Sequence, residues 1–198
     1  MSQKQRDILI GLLLGDGHLE TQNNGRTYRL KIEHSMEQAD YVLWIYEEFK
    51  DFVNKKPYTK VRKNGQRSFG FNTLSMASLR FYGKSFYPKG KKIIPEMMLK
   101  KLKPISLAVW FMDDGSRKSL KHKTYIIHTL GFRKTEVSLL KKYLKIKFNI
   151  DTELHLQKGK FYRLYVNSIS AKQFTNLIYP FVSKIKSMKH KIVLDWIT

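Results

Sequence analysis

The sequence predicts an α+β fold made of two similar halves, each with the order helix, hairpin, helix, hairpin, helix. The first observation behind this prediction is that two apolar runs of helical length close on Asp-Gly, at Asp16-Gly17 and at Asp114-Gly115. These are the chain's only Asp-Gly pairs, and they lie 98 residues apart in a chain of 198. Strand and helix patterns follow each pair in the same order, so we expect two pseudo-symmetric αββαββα repeats with antiparallel sheets.

The first half shows each expected element in turn. Asn23-Asn24-Gly25 is typical of a hairpin turn, and the alternation of Tyr28, Leu30 and Ile32 with polar residues predicts the strand that follows it. The predicted elements are a helix over 8–14, a strand over 28–32, a helix from 37, a hairpin over 58–73 with its tip at 62–67, and a helix from about 75 to 88.

The second half repeats this order with different residues. Its predicted elements are a helix over 106–113, a strand over 125–130, a helix marked by apolar residues at 137, 140 and 144, strands over 154–157 and 162–166, and a last helix that ends near 179–180. Residues 71–75 and 166–170 also match at an offset of 95. We therefore expect a first repeat over 1–99 and a second over 100–198, joined in one compact pseudo-dimeric unit.

The composition points to a polyanionic partner. Lys and Arg outnumber Asp and Glu by 38 to 16, which gives a net charge of +22, and the excess is present in both halves: 17 to 10 in residues 1–98 and 21 to 6 in residues 99–198. Nucleic acid is a stronger expectation than an anionic membrane. The hydrophobic content of 42% argues against disorder, and the absence of cysteine excludes disulfides and thiolate sites.

Apolar runs are too short for a membrane span, and the residues before the first motif are too few for a signal peptide. We therefore expect a soluble, intracellular protein that acts as a monomer with internal pseudo-two-fold symmetry.

The strand patterns place the positive charge on one face of each sheet. Alternation directs Leu154 and Leu156 toward the helices and leaves basic residues on the open face, where a two-stranded ribbon can enter the DNA major groove. The alternative is that these lysines and arginines only occupy solvated positions. The candidate DNA-binding residues are Arg26, Arg29, Lys31, Lys60, Arg62, Lys63, Arg67, Lys118, Lys121, Lys123, Lys158, Lys160 and Arg163.

The two acidic turns are candidates for a shared metal site. A single Asp-Gly after an apolar run is commonly only a turn. If the two motif helices pack side by side, which Gly11 and Ala108 would permit, Asp16 and Asp114 meet near the pseudo-two-fold axis. Carboxylate ligands suit Mg²⁺, which also binds substrate phosphate oxygens and can activate water for phosphodiester hydrolysis. Two such sites imply two cuts, one in each strand.

Residues 9–17 and 107–115 resemble the two signature helices of the LAGLIDADG homing endonucleases, in the two-motif, single-chain, intron-encoded form. The resemblance spans essentially the whole chain and implies an antiparallel sheet saddle over double-stranded DNA, with the motif helices at the repeat interface. It implies that Asp16 and Asp114 ligate a divalent metal, to which Gly15 and Asp113 would contribute only main-chain carbonyls. The implied metal is Mg²⁺, for which Mn²⁺ substitutes, while Ca²⁺ supports binding without cleavage.

The resemblance also implies a basic residue after each second hairpin that assists cleavage. Lys92 and Lys191 match these positions, with Lys91 and Lys189 as alternatives in the same lysine-rich stretches. Gln157 falls where the family often has a polar group that positions water, and Arg62 is its weaker counterpart.

Two departures from the family pattern and one histidine are informative. Leu14 replaces the first Asp of the signature, a capping position, and Val109 replaces a Gly, which predicts a less tight helix interface. The six histidines are scattered singly and are expected to be ordinary surface or core residues, and only His18, beside the first motif, is singled out for inspection. Two other functions stay open: an RNA-binding intron maturase on the same fold, with intron RNA as partner, and a DNA-binding regulator that does not cleave.

Overall fold

The computed structural model describes residues 1–119 and 121–196 and contains two four-stranded antiparallel sheets, each with helices packed on one face. The first sheet has the strand order β1-β2-β4-β3 and the second β5-β6-β8-β7. In chain order the first half contains α1 Gln3–Leu14, β1 His18–Glu20, β2 Arg29–Ser35, α2 Ala39–Phe49, β3 Tyr58–Val61, β4 Arg67–Asn72, α3 Arg80–Phe86 and α4 Glu96–Leu99. The second half contains α5 Pro104–Asp114, β5 Gly115–Arg117, β6 Tyr125–His128, α6 Lys134–Phe148, β7 Thr152–Gln157, β8 Phe161–Val166 and α7 Ser168–Val182.

This architecture confirms the predicted α+β class with two similar halves. Local signals explain where the helices begin and end. Ser2 caps α1 by accepting from the Gln5 backbone N–H, and Pro104 occupies the first turn of α5, where a missing N–H costs nothing. Asn149 ends α6 in the left-handed conformation, at φ 53°.

The motif helices α1 and α5 pack directly against each other at the centre of the molecule. Both are almost entirely buried along their apolar runs. A Cβ at Gly11 would lie 2.5 Å from the Ser106 carbonyl oxygen and 2.8 Å from Val109 Cβ, so only glycine allows this approach. Gly15 packs against Asp113 in the same way, one turn further on. The helices therefore run parallel, and their C-terminal ends bring the two Asp-Gly turns together.

Each sheet buries one face against helices and leaves the other open. In β2 the side chains of Leu30, Ile32 and His34 are buried, whereas the residues between them are only partly covered. Leu156, which is predicted to face the helices, is not covered by them, because the residue is 53% exposed. Leu156 lies near the tip of the β7–β8 hairpin, where β7 is an edge strand.

Several predicted boundaries shift by a few residues. Strand β2 continues to Ser35, and β6 ends at His128 rather than at residue 130. The last helix continues past Pro180 to Val182, although a proline inside a helix removes one backbone hydrogen bond and crowds the carbonyl four residues earlier. Within the described residues, no helix has the length and apolar character needed to cross a membrane.

Candidate active site

Asp16 and Asp114 occupy equivalent places at the ends of the two motif helices but have different surroundings. Asp16 lies just beyond α1, and its side chain is 54% exposed. Asp114 is the last residue of α5 and is mostly enclosed; burial and the nearby negative charge of Asp16 raise its pKa to about 7. A carboxylate whose ionisation is opposed by a neighbouring negative charge is suited to bind a divalent cation.

Asp113 contributes its side chain to this centre, which differs from the expectation that only its main-chain carbonyl would take part. The carboxylate is fully buried and accepts hydrogen bonds from the Asp16 backbone N–H at 3.0 Å and from the Tyr41 hydroxyl at 2.7 Å. Burial and the negative charge of Asp16 raise its pKa well above the usual range of an aspartate. Space for this carboxylate exists because residue 15 is glycine, since a Cβ there would collide with it.

His34 lies beside both acidic turns. Its Nδ1 is 3.8 Å from Asp16 Oδ2, its Nε2 is 3.8 Å from Asp113 Oδ1, and its side chain is 5% exposed. Burial lowers its pKa although the Asp16 carboxylate opposes this shift. Sequence reasoning missed His34, although it is the next inward position after Leu30 and Ile32. His18, which lies beside the first motif in the sequence, is exposed and packs edge-on against Tyr87.

Lys92 and Lys191 both reach the ends of the motif helices. The Lys92 ammonium donates to the carbonyls of Gly15 and Gly17, and the Lys191 ammonium donates to the carbonyls of Met112 and Asp113. Burial lowers the pKa of both amines, against the pull of the three aspartates. The alternatives Lys91 and Lys189 are exposed.

The two aspartates open into two different hollows. Asp16 lines one of about 860 Å³ together with His34, Glu33, Arg62 and other residues of the first sheet. A smaller hollow of about 280 Å³ contains Asp114, together with Lys92 and His128. The hollow around Asp114, which we call the second centre, thus combines an aspartate of the second half with a lysine of the first half.

The side chains present fit a hard divalent cation. Carboxylate oxygens from both halves converge, and Asp16, His34 and Asp113 offer ligand atoms within 4.8 Å of one another. The main-chain carbonyls of Gly15 and Asp113, the other expected ligands, accept hydrogen bonds from Lys92 and Lys191.

Gln157 and Arg62 differ in their relation to these hollows. Gln157 ends β7 and pairs with Phe161, and it is not among the described residues that line the Asp114 hollow. Arg62 lines the Asp16 hollow and lies 3.6 Å from Glu33.

The candidate DNA-binding residues lie on strands, hairpin tips and loops of both sheets. Three of them pair with acidic groups: Arg29 with Glu20 at 2.6 Å, Arg62 with Glu33, and Lys123 with Asp195 at 3.1 Å. Lys118 lies over the ring of Tyr165. The remaining candidates are exposed or half-buried, namely Arg26, Lys31, Lys60, Lys63, Arg67, Lys121, Lys158, Lys160 and Arg163.

Comparison with known proteins places this site in a family. DNA endonuclease I-ChuI of Chlamydomonas applanata is 33% identical over 97% of this chain and 95% of that protein. Cytochrome b mRNA maturase bI2 of Debaryomyces hansenii is 28% identical over 97% of this chain and 74% of that protein. The structure of homing endonuclease I-WcaI bound to its DNA recognition sequence superposes with a TM-score of 0.87, at 29% identity over 97% of this chain and 87% of that one. The model of the LAGLIDADG DNA endonuclease family matches residues 6–174. With both Asp-Gly turns at the helix interface, the chain belongs to the LAGLIDADG DNA endonuclease family.

Proposed function

We propose that this protein is a site-specific homing endonuclease that hydrolyses both strands of a long, asymmetric DNA target with a divalent metal, and so promotes intron or gene mobility. The observation that carries the proposal is the pair of aspartates at the α1–α5 interface, which open into separate hollows. Two centres within one chain suit two cuts in one duplex without a second copy of the protein.

Asp16 and Asp114 would hold the metal ions, with Mg²⁺ as the proposed ion and Mn²⁺ as a substitute. Bound there, the metal would supply an activated water and stabilise the leaving oxygen. Lys92 and Lys191 hold their ammonium groups beside the same helix ends. We assign them to orient water or to offset charge on the phosphate.

The open faces of the two sheets would bind the duplex. Basic side chains reach solvent along the first sheet at Lys31 and Lys60, and at the β7–β8 tip at Lys158 and Lys160. Both strands must approach carboxylates at one central axis, so the DNA would have to bend. Bending a site of 20–30 base pairs costs on the order of 1–6 kcal/mol, which would make specificity depend on deformable central steps as well as on base contacts.

An RNA-binding intron maturase is the second candidate. It is favoured by one observation, the similarity over nearly the whole chain to a cytochrome b mRNA maturase. The two functions can coexist on one fold, because retained aspartates do not exclude RNA binding. A DNA-binding regulator without cleavage is less favoured, since both aspartates and both lysines are present at the centre.

Cleavage of a randomised plasmid library tests the proposal. Purified protein is incubated with the library in Mg²⁺ and, separately, in Ca²⁺, and the new ends are sequenced. We expect one long recognised site with staggered cuts in Mg²⁺ and no cuts in Ca²⁺. Tight, salt-sensitive DNA binding without cleavage in any divalent metal would contradict the endonuclease and favour the regulator. Preferential binding of intron RNA without DNA cleavage would favour the maturase.

A further inference from the structure

We propose that Asp113 is a positioning residue for Asp16, so that the two cleavage centres are unequal and the two DNA strands are cut at different rates. This inference rests on the proposed endonuclease function. It concerns a residue for which the family pattern expects only a small side chain.

The Asp113 carboxylate forms a bridge between the two halves of the protein. It extends from α5 to accept the Asp16 backbone N–H at 3.0 Å, and its other oxygen accepts the Tyr41 hydroxyl from α2 at 2.7 Å. The carboxylate is fully buried, and Tyr41 is fully buried as well. The main chain of Asp16 is therefore tied to two rigid helices of the surrounding core.

Asp16 depends on this hydrogen bond more than Asp114 does. The Asp16 side chain is 54% exposed and follows the helix end, where packing does little to fix its direction. Asp114 is still part of α5, so its main chain is held by helical hydrogen bonds, and its side chain is mostly enclosed. Removal of the Asp113 carboxylate should loosen Asp16 and leave Asp114 in place.

Within the described part of the chain, the second centre has no equivalent of this carboxylate. The residue before Asp114 is Asp113, whereas the residue before Asp16 is Gly15, which has no side chain that could reach from α1 to the Asp114 main chain. Residue 15 has to be glycine when residue 113 is aspartate, because a Cβ at residue 15 would occupy the space of the Asp113 carboxylate.

His34 adds to the inequality between the centres. Because Asp16 and Asp114 are equivalent, His18 corresponds to Ser116. His18 pairs with Lys31 and Ser116 pairs with Ile126, so along these strand pairs Lys31 corresponds to Ile126. Three residues further on, His34 corresponds to Thr129. The Thr129 hydroxyl donates to the Tyr162 carbonyl at 2.8 Å. The His34 imidazole thus lies 3.8 Å from Asp16. The imidazole in the Asp114 hollow is that of His128, which comes from the neighbouring strand position and lies 3.4 Å from the Ser116 hydroxyl.

Strand-resolved cleavage tests this inference on the full-length protein. The target duplex carries a different label at each 5′ end, and single-turnover rates are measured in Mg²⁺, with DNA affinity measured in Ca²⁺. We expect Asp113→Ala to slow one strand about tenfold more than the other, so that nicked duplex accumulates, while DNA affinity changes less than about twofold. Asp113→Asn, which keeps one acceptor oxygen for the Asp16 N–H, should restore most of the rate on the affected strand.

Tyr41→Phe is the second variant, for the case that Asp113→Ala folds poorly. It should shift the strand ratio in the same direction but by less. Tyr143→Phe is the matched control, because it removes a hydroxyl that donates to a carboxylate, Glu96, at 2.8 Å and lies away from the motif turns. Its strand ratio should equal that of the wild type.

Amide exchange of Asp16, followed by NMR without metal or DNA, tests the hydrogen bond itself. Exchange should accelerate at least tenfold in Asp113→Ala and stay close to wild type in Asp113→Asn. The inference would be overturned if Asp113→Ala left the strand ratio unchanged, as it would by slowing both strands equally, or if it left Asp16 exchange unchanged. Either result would leave the proposed endonuclease function intact. A wild-type protein that cuts neither strand would instead overturn the proposed function on which it rests.

Discussion

Replacing Asp114 with asparagine should stabilise the metal-free protein, and by more at high pH than at low pH. The folded state raises the pKa of this carboxyl to about 7, above the 3.8 of an ordinary aspartate, because burial and Asp16 oppose its ionisation. The folded protein therefore holds this proton more tightly than the unfolded chain. Stability from this group is greatest at low pH and is lost as the pH rises from about 4 to about 7.

The magnitude follows from the size of that shift. A pKa difference of about 3 units between the folded and unfolded states lowers the free energy of unfolding by at most about 4 kcal/mol at pH 8, where Asp114 is ionised in both states. At pH 5 the same relation gives about 1–2 kcal/mol, because the folded carboxyl is still protonated and only the unfolded one ionises. Asp114→Asn removes the titration, so its advantage over the wild type in free energy of unfolding should grow by about 2–3 kcal/mol between pH 5 and pH 8.

Urea unfolding followed by circular dichroism measures this difference. Both proteins are unfolded at pH 5 and pH 8 in EDTA, with Asp51→Asn as a control at an exposed aspartate. Addition of Mg²⁺ at pH 8 should then stabilise the wild type more than Asp114→Asn, because the cation offsets the repulsion between the carboxylates. The reasoning would be refuted if the advantage of Asp114→Asn were the same at both pH values, or if the wild type were more stable than Asp114→Asn at pH 8.

Three further predictions concern packing, cleavage and DNA binding. Gly11→Ala should lower the free energy of unfolding by about 1–3 kcal/mol, because the new Cβ meets the Ser106 carbonyl. The control is Gly131→Ala, because no described residue would lie within 4 Å of the new Cβ. Equal stabilities of the two variants would contradict this packing. Lys92→Met should slow cleavage more than it weakens binding, most strongly on the strand cut at the Asp114 hollow, and a larger effect of Lys91→Met would assign the role to that neighbour. Replacing Lys158 and Lys160 with glutamine should reduce the log–log salt slope of DNA affinity by about 1.8, at about 0.9 for each phosphate that is no longer neutralised. The same change at Lys141 and Lys142, exposed on α6, should leave the slope unchanged.

The fold was predictable because its main signals are local and occur twice. The two Asp-Gly endings mark the motif helices, and strand alternation with hairpin turns marks the sheets, so the order of elements follows from periodicity alone. Leu156 shows the limit of this reasoning. Alternation gives the face of a strand, but burial also requires a helix above it, and near the tip of the β7–β8 hairpin Leu156 stays exposed.

The candidate site was only partly predictable for a related reason. Asp16 and Asp114 are marked by the repeat, but the hydrogen bonds of Asp113 depend on Tyr41, 72 residues away, and on Asp16, 97 residues away. No local pattern indicates that a second aspartate folds back across the interface. His34 could have been noted as a polar residue at an inward strand position, yet its distance from Asp16 depends on how the sheet packs against the motif helices.

The most direct test of the two-centre account measures cleavage and binding by Asp16→Asn and Asp114→Asn on the target recovered from the library. Each variant should lose double-strand cleavage in Mg²⁺ while its DNA affinity in Ca²⁺ stays within about threefold of the wild type. Double-strand cleavage at the wild-type rate by either variant would contradict the assignment of the two aspartates as metal ligands.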